Sequence, residues 1–426
     1  MWKQPERPEC DFILLNAGEL VTMDGSDRET IRLGAVASLD GVIVWVGANA
    51  EVGAHVRIPD DAVVIDAAGA CVVPGFVDAH THAVFAGSRA DEYAERLAGR
   101  SYREILASGG GINATVRATR AALLETLSQL AARRFDSFLC HGTTTVEVKS
   151  GYGLDLVTEE RMLVAAACAH PVRRVLTFLG AHFVPEEYAG RPDEYIDLVC
   201  DEMLPALRGQ AEFVDVFCDD GAFTIEQSRR VLERAIALGY KTRIHADELG
   251  RSGGAFLAAE MHCTSADHLV HATWEEIAAL RAAGVIPVVL PGTSFTLHGQ
   301  YAPARAFLDE GLELALATDF NPGTSYCENM QMAMALACQE MRLTPYEALR
   351  AATVGGAAAV GRSDEVGSLA VGKACDLLVL STESHRELPY HYGVNLVDGV
   401  VIGGRVEVES GRRVAADRQP NLSAGV

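Results

Sequence analysis

Four residues with metal-binding side chains each follow a short apolar run in this chain of 426 residues: His80, His82, His245 and Asp319. His80 and His82 lie two residues apart, and side chains two apart on a strand point to the same face. Three imidazole nitrogens and one carboxylate oxygen suit a catalytic Zn²⁺ or Fe ion that keeps an open position for water. The sequence therefore predicts a metal site with these four residues as ligands.

Each of the four residues, taken singly, has a simpler interpretation. A histidine at a strand end is more often hydrogen-bonded in the core than bound to a metal, and Asp319 could begin a turn at Phe320-Asn321-Pro322-Gly323. Their occurrence after separate strand-like runs makes coincidence improbable. His268, which follows Ser265-Ala266-Asp267, is a fifth candidate, and both a ligand role and a water-orienting role are open for it.

Eight β-type runs, separated by helical patterns, must position these side chains. The runs end near His80, Glu147, Gly180, Phe217, His245, His268, Leu290 and Asp319. Eight such repeats predict an α/β fold, the (β/α)₈ TIM barrel, whose functional residues lie at the C-terminal ends of the strands. A doubly wound sheet is the alternative. The barrel is favoured because the polar residues follow many different strands and not one switch point.

Three helices between and after these runs carry clear N-terminal signals. Thr224 and Thr273 each precede Gln or Glu by three residues, the capping-box pattern, and Gly239 and Gly284 follow the apolar series that they open. Thr344 comes before a proline, which is favoured at the first position of a helix. These signals predict helices that start at all three threonines.

Both ends of the chain show a different, purely β-type rhythm. Short β runs with Gly-containing turns occupy residues 11–66 and return after about residue 365. The simplest organisation joins both ends in one composite β-sandwich outside the barrel. The predicted division is 1–69 for the N-terminal part of the sandwich, 70–364 for the metal-dependent barrel, and 365–426 for the C-terminal part with a polar tail.

The composition restricts the classes of partner. Lys plus Arg number 36 and Asp plus Glu number 58, so the formal net charge is −22, which argues against binding nucleic acid or an anionic membrane surface. No run reaches the roughly 20 apolar residues of a membrane helix, and the N-terminus shows no signal-peptide core. Ten cysteines without a Cys-x-x-Cys pair indicate a reducing compartment, the cytoplasm.

Longer motifs around these residues resemble a known family. The chain resembles the imidazolonepropionase family, within the amidohydrolase superfamily of metal-dependent hydrolases, over about residues 10 to 412. The motifs that carry the resemblance are Ser108-Gly109-Gly110-Gly111-Ile112, Lys149-Ser150-Gly151-Tyr152-Gly153-Leu154, Gly180-Ala181-His182, His245-Ala246-Asp247-Glu248, Leu290-Pro291-Gly292-Thr293, Thr318-Asp319-Phe320-Asn321-Pro322-Gly323 and Pro389-Tyr390-His391-Tyr392-Gly393-Val394-Asn395.

The resemblance implies hydrolysis of 4-imidazolone-5-propanoate to N-formimidoyl-L-glutamate in histidine degradation. Water must attack a cyclic amide carbon, and the ring nitrogen must receive a proton. Asp319 or Glu248 could be the base, and both remain open; His268 could orient the water or stabilise the developing oxyanion. The alternative is another cyclic amide or amidine hydrolase, or a deaminase, of the same superfamily. A non-catalytic scaffold protein is disfavoured, because such proteins typically lose metal ligands.

The resemblance also implies residues that contact the substrate, a small anion. It places Arg89, Tyr152 and His182 on the substrate, with Arg89 as the partner of the propanoate carboxylate. Glu248 is expected to contact the ring nitrogens. Three residues after Asp319 could offer amide and hydroxyl donors: Asn321, Gly323 and Thr324. A homodimer is a further expectation from the family.

The number of metal ions is predicted from the fourth strand, which lacks the kind of residue that bridges two ions in relatives. Binuclear relatives carry a bridging carboxylated Lys or a Glu there, whereas this chain reads Val214-Asp215-Val216-Phe217-Cys218. Lys149 does not qualify, because it follows the second strand. One metal ion per chain, Zn²⁺ or Fe, is therefore expected.

Overall fold

The computed structural model of the chain describes residues 7–26, 30–100, 104 and 109–414. Ser108 of the glycine motif and the polar tail 415–426 lie outside the described residues. Within the described ranges, no helix combines the length and the apolar composition needed to cross a membrane.

Seventeen strands are present in the described part of the chain. They are β1 Phe12–Val21, β2 Thr30–Leu39, β3 Val42–Ala48, β4 Val63–Asp66, β5 Cys71–Pro74, β6 Phe76–Asp78, β7 Thr143–Lys149, β8 Arg173–Ala181, β9 Phe213–Cys218, β10 Lys241–Ala246, β11 Ser265–His268, β12 Ile286–Val289, β13 Ala315–Leu316, β14 Leu377–Leu380, β15 Val397–Ile402, β16 Arg405–Glu409 and β17 Arg412–Arg413.

Strands β6 to β13 form a parallel barrel in which each strand pairs with the next along the chain. The residues after β6 and β13 close the ring: Asp319 N donates to His80 O at 3.1 Å, and His82 N donates to Phe320 O at 2.8 Å. A doubly wound sheet would reverse its strand order in the middle. The consecutive order and the closure confirm the predicted (β/α)₈ barrel.

Helices lie between the barrel strands and beyond them. The α-helices are Val52–His55, Ala90–Leu97, Ile112–Ala121, Leu124–Cys140, Leu156–Ala166, Pro192–Leu198, Leu204–Ala206, Ile225–Ala237, Gly254–Glu260, Trp274–Ala283, Pro291–Leu297, Ala304–Asp309, Met330–Met341, Pro345–Arg350, Gly356–Ala359 and Glu387–Tyr390. Single turns of 3₁₀-helix lie at Asn49–Glu51 and Glu186–Tyr188, and π-helical turns at Val199–Met203 and Ala351–Gly355.

The three predicted helix starts are confirmed. Thr224, Thr273 and Thr344 each accept the backbone N–H three residues on, and the Gln or Glu there reaches back to the threonine N–H. Gly284 takes the left-handed conformation with φ 72° directly after its helix, where a side chain would be strained.

The second β unit, formed by both chain ends, is also confirmed. Its nine strands run in the order β17-β16-β15-β14-β5-β1-β2-β3, with β4 beside β1. The sheet curls over itself, because Ile43 N of β3 donates to Lys373 O, just before β14. One apolar cluster fills the curl, with members that include Phe12, Val36 and Leu377.

The chain passes from this sheet into the barrel at Pro74 and Gly75. β5 pairs with β1 and β14, whereas β6 pairs with β7. A Cβ at Gly75 would lie closer than 3.0 Å to the Thr144 side chain, so only glycine fits at this change of sheet. The divisions at 69/70 and 364/365 stay predictions about folding units.

The barrel interior holds a set of apolar side chains, called the apolar layer, and a set of charged side chains, called the charged layer. The apolar layer includes Val77, Val175, Phe213 and Val288. The charged layer consists of Glu147, Lys149, Asp215, Arg243 and Asp267, all fully buried. The candidate ligands lie directly above this second layer.

Candidate metal centre and active site

The four predicted ligands converge at the C-terminal mouth of the barrel. His80 and His82 follow β6, His245 lies in β10, and Asp319 follows β13. Ligand atoms of His80, His82 and His245 lie within 4.8 Å of one another, and so do those of His80, His268 and Asp319. The Nε2 atoms of His80 and His82 lie 3.5 and 3.6 Å from Asp319 Oδ1. All four side chains are buried.

This donor set fits a metal ion. His80 Nε2 and His245 Nε2 are buried without a hydrogen-bond partner, which is costly unless something else satisfies them. His82 Nδ1 is also buried without one, but the nitrogen of His82 that lies near Asp319 is Nε2. The separations of 3.5 and 3.6 Å from Asp319 are too long for hydrogen bonds. They match the roughly 3.4 Å expected between neighbouring ligand atoms in tetrahedral coordination at about 2.1 Å.

Two buried carboxylates hold the rings of His80 and His245. His80 Nδ1 donates to Asp267 Oδ2 at 2.6 Å, and His245 Nδ1 donates to Asp215 Oδ1 at 3.0 Å. A proton at Nδ1 leaves the Nε2 lone pair free to face the centre. Burial, followed by the nearby charge of Lys149, holds the pKa of His80 well below its ordinary value, so this ring stays neutral as a ligand must.

The charged layer supports these carboxylates from below. Lys149 Nζ lies 2.7 Å from Asp215 Oδ2, and Arg243 Nη2 lies 2.9 Å from Asp267 Oδ2. Burial alone would raise the pKa of Asp267, but Arg243 and Lys149 hold it well below its usual range. Sequence reasoning did not assign Asp215, Arg243 or Asp267 to the site. The available signal was charged residues at alternate positions of buried strands, as in Arg243-Ile244-His245.

Thr293 fixes the orientation of the Asp319 carboxylate. Its hydroxyl donates to Asp319 Oδ2, so that Oδ1 faces the two histidine nitrogens. Asp319 has φ 50°, a left-handed conformation that turns its side chain at the strand end. Burial raises the pKa of Asp319 to about 6. Thr293 is a contact that sequence reasoning missed.

Glu248 and His268 face each other at the same mouth. His268 Nε2 lies 3.6 Å from Glu248 Oε2. Burial, and then the nearby carboxylates of Asp319 and Asp219, raise the pKa of Glu248 well above its ordinary value. Asp219 accepts the backbone N–H of Glu248 at 2.6 Å and thereby holds this loop in place. Both predicted proton-transfer residues thus belong to one cluster with His268.

His182 and Tyr152 form an aromatic wall beside His82. The rings of His182 and His82 stack with centroids 5.1 Å apart, and Tyr152 lies 5.3 and 5.7 Å from them. His182 Nδ1 donates to Gly151 O at 2.8 Å. Burial, followed by the neighbouring His245, lowers the pKa of His182 to about 3, so this ring is neutral.

Arg89 lies at the mouth and pairs with Glu92 of its own helix. Its Nε and Nη2 donate to the Glu92 carboxylate at 3.0 and 2.6 Å. A Cβ at Gly323 would lie closer than 3.0 Å to Arg89 Nη1, so this edge of the guanidinium packs against the loop after β13. The structure therefore brings Arg89 to the loop that follows Asp319.

The three predicted donors after Asp319 build their own loop. Asn321 Oδ1 accepts the N–H groups of Gly323 and Thr324, each at 2.8 Å. Asn321 Nδ2 donates to Asp319 O at 2.7 Å and to Thr324 Oγ1 at 3.0 Å. Gly323 O accepts from Arg96. Asn321, Gly323 and Thr324 lie at the mouth, but these hydrogen bonds turn their polar groups inward to the loop.

A TIM barrel with clustered histidine and carboxylate side chains at its C-terminal strand ends, joined to a β unit from both chain ends, is typical of amidohydrolase-type hydrolases. The model of the amidohydrolase family matches residues 71–406. The imidazolonepropionase of Symbiobacterium thermophilum is 50% identical over 417 residues, which cover 94% of this chain and 98% of that protein. The chain belongs to the amidohydrolase family and, within it, to the imidazolonepropionases.

A second relative agrees with this assignment, and solved structures share its fold. The imidazolonepropionase of Haloarcula marismortui is 50% identical, with 93% of this chain and 96% of the relative covered. An adenosine deaminase from Xanthomonas campestris with bound zinc has a TM-score of 0.75 at 22% identity, over 97% of this chain and 96% of the other. The A. niger ochratoxinase has a TM-score of 0.68 at 18% identity, covering 94% and 96%. These two structures share the fold.

Proposed function

We propose that this hydrolase opens the cyclic amide of 4-imidazolone-5-propanoate to give N-formimidoyl-L-glutamate in histidine degradation. The assignment of this substrate rests on the 50% identity, over nearly the whole chain, to proteins named imidazolonepropionase. The buried cluster of histidine and carboxylate side chains at the barrel mouth supports hydrolysis by activated water. The reaction adds the water oxygen to the amide carbon, breaks the carbon–nitrogen bond and delivers a proton to the ring nitrogen.

We propose His80, His82, His245 and Asp319 as ligands of one Zn²⁺ or Fe ion per chain. The partnerless Nε2 atoms of His80 and His245, and the separations of 3.5 and 3.6 Å between Asp319 Oδ1 and Nε2 of His80 and His82, support this ligand set. When bound, the ion supplies a Lewis acid that lowers the pKa of water from about 15.7 toward about 7.

In this proposal Asp319 takes the proton of the attacking water. Its carboxylate is held by Thr293 at one oxygen, and the other oxygen faces the site. Burial, and then the nearby Asp319 carboxylate, raise the pKa of Glu248 well above its ordinary value, which favours its protonated form and suits a hydrogen bond to a ring nitrogen. Glu248 as the base is the alternative. His268, within 3.6 Å of Glu248, orients the water or supports the oxyanion.

Arg89 is the proposed partner of the propanoate carboxylate, with Tyr152 and His182 against the substrate ring. A guanidinium can hold a carboxylate through two parallel hydrogen bonds. We propose that the carboxylate subsite lies where the guanidinium, held by Glu92 through Nε and Nη2, meets the loop around Gly323. Asn321, Gly323 and Thr324 then shape the floor of that subsite.

The direct test is turnover of freshly made imidazolone propanoate, with metal quantified in the same sample. Ring opening with about one ion per active chain is the expected result. Guanine and hydantoins serve as competing substrates. Turnover of either of these, without turnover of imidazolone propanoate, would assign the chain to another cyclic amide or amidine activity.

We also propose that the enzyme works in the cytoplasm as a homodimer, without nucleic-acid or membrane partners. All ten cysteines are free, as expected in a reducing compartment. The net charge of −22 supports the absence of polyanionic partners. Light scattering of the purified chain measures its oligomeric state.

A further inference from the structure

The ammonium group of Lys149 lies where three buried carboxylates meet, beneath the candidate metal site. Its Nζ is 2.7 Å from Asp215 Oδ2, 3.0 Å from Glu147 Oε1 and 3.6 Å from Asp267 Oδ2. All four side chains have no solvent exposure, so water screens none of their charges. Carboxylate oxygens around one point are also the ligands that divalent cations prefer.

Two of these carboxylates connect Lys149 to the candidate ligands. Asp215 uses Oδ1 for His245 and Oδ2 for Lys149. Asp267 Oδ2 accepts from His80 at 2.6 Å and also faces Lys149. The lysine is therefore one residue removed from two of the proposed metal ligands. Any other cation at its position would share the same carboxylates.

The charges of this layer come close to balance only with the lysine present. Lys149 and Arg243 supply two positive charges against three carboxylates, which leaves a net charge of about −1. Burial and Arg243 act to lower the pKa of Lys149, but the carboxylates raise it above its ordinary value, so it remains charged. Without Lys149 the layer would hold about −2, buried and uncompensated, which strongly favours uptake of a cation.

We propose that Lys149 is a positioning residue that acts as a built-in cation and keeps the site mononuclear. Its ammonium takes the place that a second divalent ion would occupy beneath His80 and His245. The inference rests on the proposed metal site. With Lys149 in place, Asp215 of the fourth barrel strand has no oxygen left for a second metal. Its Oδ1 accepts from His245, a proposed ligand, and its Oδ2 accepts from Lys149.

The test counts the ions that remain bound after incubation with excess Zn²⁺ and gel filtration. The wild-type chain should retain one ion, and Lys149→Ala should retain two. We expect the second ion to bind at least about 100-fold more tightly than any second ion of the wild type, because the like charge at that position is gone. Lys149→Arg, which keeps a cation, should again retain one ion.

Lys149→Gln is measured beside Lys149→Ala, because its amide keeps hydrogen-bond donors without the charge and leaves no large cavity. Thermal unfolding with increasing Zn²⁺ gives a second readout that does not depend on activity. Both uncharged variants should show a further rise in melting temperature beyond one equivalent of Zn²⁺. The matched control is Glu147→Gln combined with Lys149→Gln, which restores the net charge and should weaken the second ion.

The possible outcomes separate this inference from the metal site itself. Two tightly held ions in the wild type, or a single ion in folded Lys149→Gln, would overturn the role of Lys149. A second ion bound with equal strength by the Glu147→Gln, Lys149→Gln chain would also overturn it, because the carboxylate cluster would then not be the binding site. A wild type without any ion would instead overturn the proposed ligand set.

Discussion

At the scale of single residues, the site depends on which atom of each side chain is already engaged. Asp267 and Asp215 accept from Nδ1 of His80 and His245, and this leaves the Nε2 atoms for the centre. Thr293 engages one oxygen of Asp319 in the same way. For these three candidate ligands, a hydrogen-bond partner thus decides which atom faces the centre.

The role of Asp319 can be tested by removing its ability to take a proton. Asp319→Asn keeps an oxygen that can bind metal, so part of the metal should remain while turnover falls by about 100-fold or more. Metal content and kcat are measured on the same sample, and His80→Ala serves as the control that loses both metal and activity. Near-normal turnover of metal-bound Asp319→Asn would make Glu248 the base, and Glu248→Gln would then show the collapse.

The role of Arg89 can be tested with two substrates. A charged hydrogen bond contributes roughly 1.5–3 kcal/mol, so Arg89→Ala should lose on the order of 10- to 100-fold in kcat/KM with imidazolone propanoate. The loss should be far smaller with an imidazolone that lacks the carboxylate, and the metal should stay bound. Equal losses on both substrates would mean that Arg89, through Glu92 and Gly323, only supports the loop.

At the scale of elements, the loops after the strands are shaped by a few side chains that satisfy backbone groups. Asn321 organises the loop after β13, and Glu159 accepts the N–H groups of Gly151, Gly153 and Leu154 after β7. These contacts hold the loops that carry Asp319 and Tyr152. The barrel therefore presents its site on loops whose backbone groups are held by hydrogen bonds to side chains.

The change of sheet at Gly75 predicts a strong local requirement for glycine. Gly75→Ala should lower the urea midpoint of unfolding, because its Cβ would meet the buried Thr144 side chain. Gly53→Ala, in an open helical position, is the matched control and should leave the midpoint unchanged or raise it slightly. Combining Gly75→Ala with Thr144→Ala should recover part of the loss. An unchanged midpoint for Gly75→Ala would contradict the tight packing at this position.

At the scale of the whole molecule, the two chain ends are tied together beside the barrel. Glu19 of β1 accepts from the backbone N–H of His385 at 3.0 Å and from its Nδ1 at 2.5 Å. β5 and β14 pair next to this contact. The C-terminal segment therefore completes a sheet that the N-terminal strands began, and both ends contribute to one apolar cluster.

This contact predicts a pH dependence of stability. Burial would raise the pKa of Glu19, but its hydrogen bonds to His385 lower it below the ordinary value of 4.5. A carboxylate with a lowered folded-state pKa adds stability above its ordinary pKa and loses it as the pH falls through the folded-state value. The difference in urea midpoint between wild type and Glu19→Gln should therefore be smaller at pH 4 than at pH 7. A constant difference at both pH values would exclude this linkage.

The sequence by itself determined the elements and the candidate ligands, because these depend on local patterns. Capping boxes at Thr224 and Thr273, and apolar runs that end at His80 and Asp319, are visible within a few residues of the chain. The charged layer was decided only by the tertiary structure. Lys149 and Asp215 are 66 residues apart, and His80 and Asp267 are 187 apart. Such partners meet only because separate strands bring their side chains to the same height in the barrel. No local pattern in the sequence encodes that height.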